Sequence, residues 1–177
     1  GTRPLRLGTA SGDEVRVEGK VDRVDCYHGS DRDYIRVIDY KTGGKKFDLS
    51  EVVQGLNMQM LLYLFTLGEN GVADLSSPGE AGVLYMPGSG HFTRDRRDAS
   101  AESIAEDQRK SYCMSGMVLD NPEVIEAMEL GTAGRYIPVS LKKDGSYTAA
   151  SSVITEEQLG LLRRQIAGNV VRMAELL

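Results

Sequence analysis

Tyr34-Ile-Arg-Val-Ile-Asp-Tyr-Lys41 is the stretch on which the fold turns. Its β-branched and aromatic residues predict a strand. At a period of two, Ile35, Val37, Asp39 and Lys41 project from one face of that strand. An acid and a base therefore end an otherwise apolar face, and burying unpaired charge is costly. Either the two close a salt bridge that reaches solvent at the strand end, or they serve chemistry that needs charge at the edge of a core.

Upstream, the segment Val15 to Cys26 alternates, with Val15, Val17 and Val21 on one face and Arg16, Glu18, Lys20 and Asp22 on the other. It predicts a single strand. Tyr27-His-Gly-Ser-Asp-Arg-Asp33 is a turn by composition, so the two strands are expected to form a hairpin that brings Asp22 beside Asp39. Two carboxylates at close range repel unless a cation lies between them. A hard divalent ion, Mg²⁺ or Mn²⁺, suits such oxygen ligands. Lys41 then supplies a point charge that orients or deprotonates a water, or steadies charge on a phosphate.

Downstream, Thr42-Gly-Gly-Lys-Lys46 breaks the strand. Asp48-Leu-Ser-Glu51 has the form of a capping box and predicts one helix from about Ser50 to Leu67, with Gly68 as its stop. On it Gly55, Gln59 and Tyr63 share a stripe at i, i+4 and i+8. The rest of that helix is almost wholly apolar, so Gln59 and Tyr63 need hydrogen-bond partners if buried. A satisfied core amide and a place at the acidic site are both open for Gln59. Ala81 to Met86, ended by Pro87, predicts a short buried strand, and Gly88 to Ser100 a polar loop. Helices are expected over Ala101–Cys113 and over Asn121–Leu130, the second with Pro122 in its first turn. A short hairpin is expected from Arg135–Leu141 and Tyr147–Ala149, and a closing amphipathic helix from Thr155 to Leu177. The order of elements is that of an α/β domain with a small mixed central sheet flanked by helices.

With 177 residues, the chain is long enough for one domain with a real core. Hydrophobic residues at 41% and charged residues at 27% exclude a disordered tract and fit an ordinary globular protein. No stretch approaches the roughly 20 apolar residues of a membrane helix, and the N-terminus has no signal-peptide pattern. A cytoplasmic protein without a membrane partner is expected. Cys26 and Cys113 are too few for a disulfide scaffold and lack metal-ligand spacing. The net charge of −5 does not favour nonspecific nucleic-acid binding. Local basic groups exist at Lys41, Lys45 and Lys46, at Arg94, Arg96 and Arg97, and at Arg163 and Arg164; each is open to reading as a solvated face or a backbone contact. His28 and His91 are expected to be surface histidines. The chain does not begin with Met and its last helix has no cap, which points to a piece of a longer protein.

Gly19-Lys-Val-Asp-Arg-Val-Asp25, Val37-Ile-Asp-Tyr-Lys-Thr-Gly43 and Gly55-Leu-Asn-Met-Gln-Met-Leu-Leu-Tyr63, in that order, resemble the successive motifs of the PD-(D/E)XK nuclease superfamily, RecB-like branch. They are most similar to those of the nuclease domain in the B subunits of AddAB-type (RexAB-type) ATP-dependent helicase–deoxyribonucleases. Gly82-Val-Leu-Tyr-Met-Pro87 and the closing helix fit the same layout more loosely. The resemblance implies that residues 1–177 are a single nuclease domain with a restriction-endonuclease-like core, part of a larger multidomain protein. It implies that Asp22 and Asp39 are metal-binding carboxylates, that the backbone carbonyl of Tyr40 completes the metal shell, and that Lys41 is the catalytic lysine. Gln59 and Tyr63 would be the Q-x-x-x-Y element beside the site and the DNA. The implied activity is Mg²⁺-dependent (or Mn²⁺-dependent) exonucleolytic hydrolysis of single-stranded DNA ends unwound by a helicase. Its setting would be double-strand-break repair and recombination, with the A-type helicase–nuclease subunit as partner.

The sequence departs from that pattern in two respects. The family usually has a helix before the first motif that offers a further acidic or His ligand; only Gly1 to Glu14 precede it here, leaving Glu14 and Glu18 as the nearest substitutes. The cysteines that hold an iron–sulfur cluster in this helicase-linked branch have no counterparts in Cys26 and Cys113, so a cluster is expected only in the full-length protein. Two alternatives remain: another RecB-like exonuclease, CRISPR-associated or from a phage, and a degenerate nuclease fold serving as a DNA-binding module. Intact Asp22, Asp39 and Lys41 argue against the second.

Overall fold

The β-branched stretch ending in Lys41 is the second strand of a five-stranded mixed sheet in the computed structural model, which describes residues 3–42, 46–88 and 100–176. In chain order, β1 (Leu5–Gly8) and β2 (Glu14–Val17) make a separate antiparallel ribbon. The central sheet runs β3 (Arg23–His28), β4 (Asp33–Lys41), β5 (Gly79–Pro87), β6 (Ser115–Leu119) and β7 (Val153–Ile154), in spatial as in chain order. The β4–β5 and β6–β7 pairs are parallel; β3–β4 and β5–β6 are antiparallel. Five helices accompany them: α1 (Leu49–Val53), α2 (Gln59–Asn70), α3 (Ala101–Ser111), α4 (Pro122–Met128) and α5 (Glu156–Glu175). A parallel pair needs a crossover, and the α1–α2 segment supplies it between β4 and β5.

Strand alternation sorts the core into two layers. Ile35 and Val37 of β4, with Val83 and Tyr85 of β5, pack against Leu61, Leu64 and Phe65 of α2 and Leu159, Leu162 and Ile166 of α5. On the opposite face Ile38, Leu84 and Val118 meet Ile125 of α4 and the Ile137–Val139 segment. A bulge at Ile35/Arg36 keeps this division in step along the β4–β5 pair. Asp39, Lys41 and Tyr85 therefore lie on the α2–α5 side.

The structure corrects several sequence expectations. Val15 to Cys26 is not one strand: β2 pairs with β1, Glu18 to Asp22 lies outside any strand, and β3 begins at Arg23. Alternation alone cannot show which partner each half finds. The helix expected from Ser50 to Leu67 is two helices. Gly55 and Asn57 adopt positive φ (90° and 53°) between them. The buried Asn169 of α5 donates to the carbonyl of Val53 that the break releases, at 3.3 Å. Asp48 caps α1 by accepting from Ser50 N at 2.8 Å, while Glu51 turns to Asn57 instead of closing the box. Gly68 is not a stop either; α2 runs on to Asn70, and a Cβ at residue 68 would collide with Glu80 Oε1. That glycine makes room for the Glu80 carboxylate, which pairs with Arg163 across the helix layer.

Strands β6 and β7 have no clear signal in the sequence, since Ser115–Leu119 is short and Val153–Ile154 is two residues long. The hairpin expected around Lys142–Gly145 survives as a turn, with Gly145 N donating to Lys142 O at 3.0 Å, but it is flanked only by isolated bridges. The 133–139 segment is shaped instead by the buried carboxylate of Glu129, which accepts from the backbone N–H groups of Arg135, Tyr136 and Ile137 at 2.9, 2.8 and 3.1 Å. Burial alone would raise its pKa, but these N–H donors outweigh that and hold it below the ordinary range. The helices over 101–111 and 122–128 and the long α5, with a Thr155–Gln158 capping box, stand close to expectation. His28 is a surface residue hydrogen-bonded to Asp33. His91, Lys45 and the group Arg94, Arg96 and Arg97 lie outside the described residues. No helix among the described residues is long and apolar enough to cross a membrane.

Replacing Glu129 by Ala leaves the buried Ile137 N–H and the part-buried N–H groups of Arg135 and Tyr136 without their acceptor, and should destabilise the protein by about 1–3 kcal/mol at neutral pH. A carboxylate with a depressed folded pKa stabilises above its unfolded value of 4.5 and ceases to as pH falls through the folded value. In urea unfolding curves the gap between wild type and variant is thus expected to narrow as pH falls below 4.5; a gap that stays constant to about pH 3 contradicts this account.

Candidate active site

Asp39 and Lys41 do converge at the end of the apolar face of β4. Lys41 Nζ lies 2.5 Å from Asp39 Oδ2, with the two side chains 30% and 22% exposed. The Asp39 Oδ2 atom is closed to solvent and has this ion pair but no well-formed hydrogen bond. Close contact with the Asp39 carboxylate and its charge raise the Lys41 pKa against the opposing pull of burial, and the Asp22 charge adds to the effect. The ammonium also stands 5.0 Å over the ring of Tyr85, which β4–β5 pairing places directly beside Asp39.

Asp22 arrives from the exposed segment just before β3. The last β3–β4 pair is Arg23 with Ile38, so Asp22 falls one step further on, opposite Asp39. Its Oδ2 accepts from the backbone N–H of Tyr40 at 3.2 Å. The two aspartates and the lysine thus meet at one strand end. Tyr40 contributes its backbone there, while its side chain is 46% exposed.

Gln59 and Tyr63 are placed differently from expectation. Gln59 is exposed in the first turn of α2, and its Nε2 donates to Tyr63 Oη at 2.7 Å. Gly55 lies before the helix, so the three do not form a helical stripe. Among the described residues no hydrogen bond joins Gln59 or Tyr63 to Asp22, Asp39 or Lys41. Tyr63 instead packs on Gly19, where an added Cβ would collide with its hydroxyl. The ring therefore braces the Glu18–Asp22 segment from below. Of the substitutes for a further acidic ligand, Glu14 is bound to Arg6 and Arg16 in the β1–β2 ribbon and is taken out of the site. Glu18 borders a 300 Å³ cavity with Gly19 and Tyr63.

The model for the PD-(D/E)XK nuclease superfamily matches residues 1–174. The chain belongs to that superfamily. Among curated relatives, it is 37% identical over 177 residues to the B subunit of an ATP-dependent helicase/deoxyribonuclease of Clostridium novyi and 36% identical over 177 residues to that of Clostridium acetobutylicum. The protein of the same name from Caldanaerobacter subterraneus is 32% identical over 174 residues. Each alignment covers 97% of this chain but only 15% of the relative, so the chain spans about 15% of the length of the proteins it matches. The α/β sandwich around a mixed sheet is the fold of this nuclease superfamily, and these nucleases generally use divalent metal ions.

The strand end fits such an ion. Among the described residues no group of three or more His, Cys, Asp or Glu side chains is gathered to hold a metal. Mg²⁺ does not require one: it is commonly held by one or two carboxylates together with waters and substrate phosphates. Asp39 and the exposed Asp22, on adjacent segments at one strand end, are a two-carboxylate donor set of that kind.

Tyr85 is the residue that sequence reasoning overlooks. In the sequence it is one more apolar position of a buried strand, although a phenol in such a strand needs a polar neighbour. That requirement is the available signal. Burial raises its pKa, only partly offset by the Lys41 charge.

The Gly19–Tyr63 contact makes a measurable demand. Gly19→Ala should cost about 1–3 kcal/mol through overpacking, and Tyr63→Leu should relieve part of that cost. A double-mutant cycle in guanidinium is expected to show a coupling of at least 0.5 kcal/mol, roughly the threshold for residues in contact. Strict additivity removes Tyr63 as the brace of this segment.

Proposed function

We propose that this chain is the nuclease module of a larger helicase–deoxyribonuclease protein, hydrolysing phosphodiester bonds of single-stranded DNA ends with the help of Mg²⁺ or Mn²⁺. The observation that carries this is the Asp39 carboxylate oxygen, closed to solvent and paired at 2.5 Å with Lys41, beside a second aspartate at the same strand end. In this assignment Asp22, Asp39 and the backbone carbonyl of Tyr40 hold the ion. A divalent ion bound there supplies positive charge against the phosphate and makes a coordinated water a better nucleophile.

The protein's own groups do the rest. Asp22, tied to the Tyr40 amide, keeps its second oxygen available, and that hydrogen bond fixes the approach of the Glu18–Asp22 segment to β4. Lys41 presents an ammonium held over the Tyr85 ring, so it can steady charge that grows on the phosphate as water attacks in line. Gln59 and Tyr63 act one layer out. Bonded to each other and packed on Gly19, they hold the backbone that delivers Asp22. A partner protein that unwinds DNA, a role in double-strand-break repair and recombination, a cytoplasmic location and an iron–sulfur cluster elsewhere in the full-length protein belong to the same proposal. The names and greater length of the matched relatives support the partner and the larger protein.

Calorimetric titration with Mn²⁺ tests the metal assignment. The wild type should bind, and Asp39→Ala should lose binding; equal behaviour of the two removes Asp39 and leaves a nucleic-acid-binding relative without catalysis. Lys41→Ala should retain the metal while cleavage of a single-stranded oligonucleotide falls roughly 10²–10³-fold, the usual effect of removing one group that stabilises transition-state charge. Unchanged turnover takes Lys41 out of the mechanism.

A further inference from the structure

A cleft of about 560 Å³ opens beside Lys41, between the segment that starts α1 and the end of α3 with the start of β6. Its walls carry two further lysines: Lys46 on one side and Lys110, in the last turn of α3, on the other. Both are exposed. The same cleft is lined by the half-buried ring of Phe47, set edge-on against Tyr85 with centroids 6.0 Å apart and planes at 66°. The amide of Phe47 donates to Ser115 Oγ at 3.1 Å, which ties one wall to the other. Asp48, a lining carboxylate, is already committed to capping α1 through the Ser50 amide and hydroxyl.

We propose that this cleft binds the nucleotide next to the bond being cut, as a single strand, with Lys46 and Lys110 on its phosphates and Phe47 against its base. The inference rests on the nuclease assignment above and extends it to the substrate. The volume is that of a pocket for one small-molecule-sized ligand. A basic rim over an aromatic platform is the combination that tracks an unpaired strand: cations take the backbone and the ring takes a base face. In a duplex the base faces are already stacked on one another, so Phe47 has nothing to receive. With a net charge of −5 the chain as a whole does not attract phosphate, so a strand is expected to be held by local basic groups such as these. Lys41 joins the rim to Asp39, so a strand held in the cleft runs directly into the paired aspartate and lysine.

Fluorescence anisotropy of a labelled oligothymidylate, with chelator present so that nothing is cut, measures this in the intact protein over a range of salt concentrations. Lys46→Ala/Lys110→Ala should lower the slope of log affinity against log salt by about 1.4, given roughly 0.7 per phosphate contact on a single strand. Phe47→Leu, which keeps the apolar volume, should weaken binding about tenfold with the slope unchanged, as loss of one base stack does. A duplex of the same length should be indifferent to Phe47→Leu. If neither variant alters affinity or slope while wild type cleaves with Mn²⁺, the cleft is not the strand's path and the nuclease assignment stands. If both variants behave as stated while wild type never cleaves, the cleft stands and the catalytic assignment falls. Equal loss of duplex and single strand on Phe47→Leu overturns the single-strand proposal.

Discussion

Placing two opposite charges at the end of a buried strand face is the constraint around which the site is built. β4 is covered on both sides over most of its length, so Asp39 and Lys41 are tolerable only where the layer of α2 and α5 opens. There they neutralise each other, with a carboxylate oxygen left closed to water and short of a hydrogen bond. Such an arrangement is poor as a contribution to stability, since pairing at close range must first offset the loss of hydration. It is well suited to receiving a cation.

Each neighbour of β4 then supplies one service. Antiparallel β3 sets the register that carries Asp22 to a point opposite Asp39. Parallel β5 brings Tyr85 alongside, where its ring lies under the Lys41 ammonium and backs Phe47 in the adjoining cleft. The crossover between β4 and β5 adds a third. Because it breaks at Gly55, α2 restarts at Gln59 with Tyr63 facing the Gly19 backbone, and the break itself is held by Asn169 from α5. A continuous helix would have no reason to stop there, so α5, the last element of the chain, helps to orient the support for the first motif.

Much of this is legible in the sequence. Strand β4, its same-face acid and base, the hairpin turn before it and the buried strand β5 follow from a period of two and from turn composition, which are local properties. The caps at Asp48, Asn121 and Thr155 are local as well: each side chain bonds an amide within three residues. Other features are not. Val15–Cys26 reads as one alternating strand because alternation is blind to partners, and only the packing of β1 on β2 separates its halves. Strands β6 and β7 are too short to announce themselves, and exist because β5 pairs with β6 and β6 with β7, while the 133–139 segment bonds Met114 and Ser152 just ahead of each.

The amino-acid sequence by itself determined the α/β class, the ordered motifs and the chemical character of Asp22, Asp39 and Lys41, because residue type and spacing are carried along the chain. The tertiary structure alone decided that Glu14 is spent on two arginines, that Gln59 and Tyr63 bond each other, and that Tyr85 stands beneath the lysine. Those outcomes depend on which side chains arrive from distant segments with unsatisfied groups. Hydrogen bonds and ion pairs are settled between whatever partners the packing brings within about 3 Å, and spacing along one chain does not encode that choice.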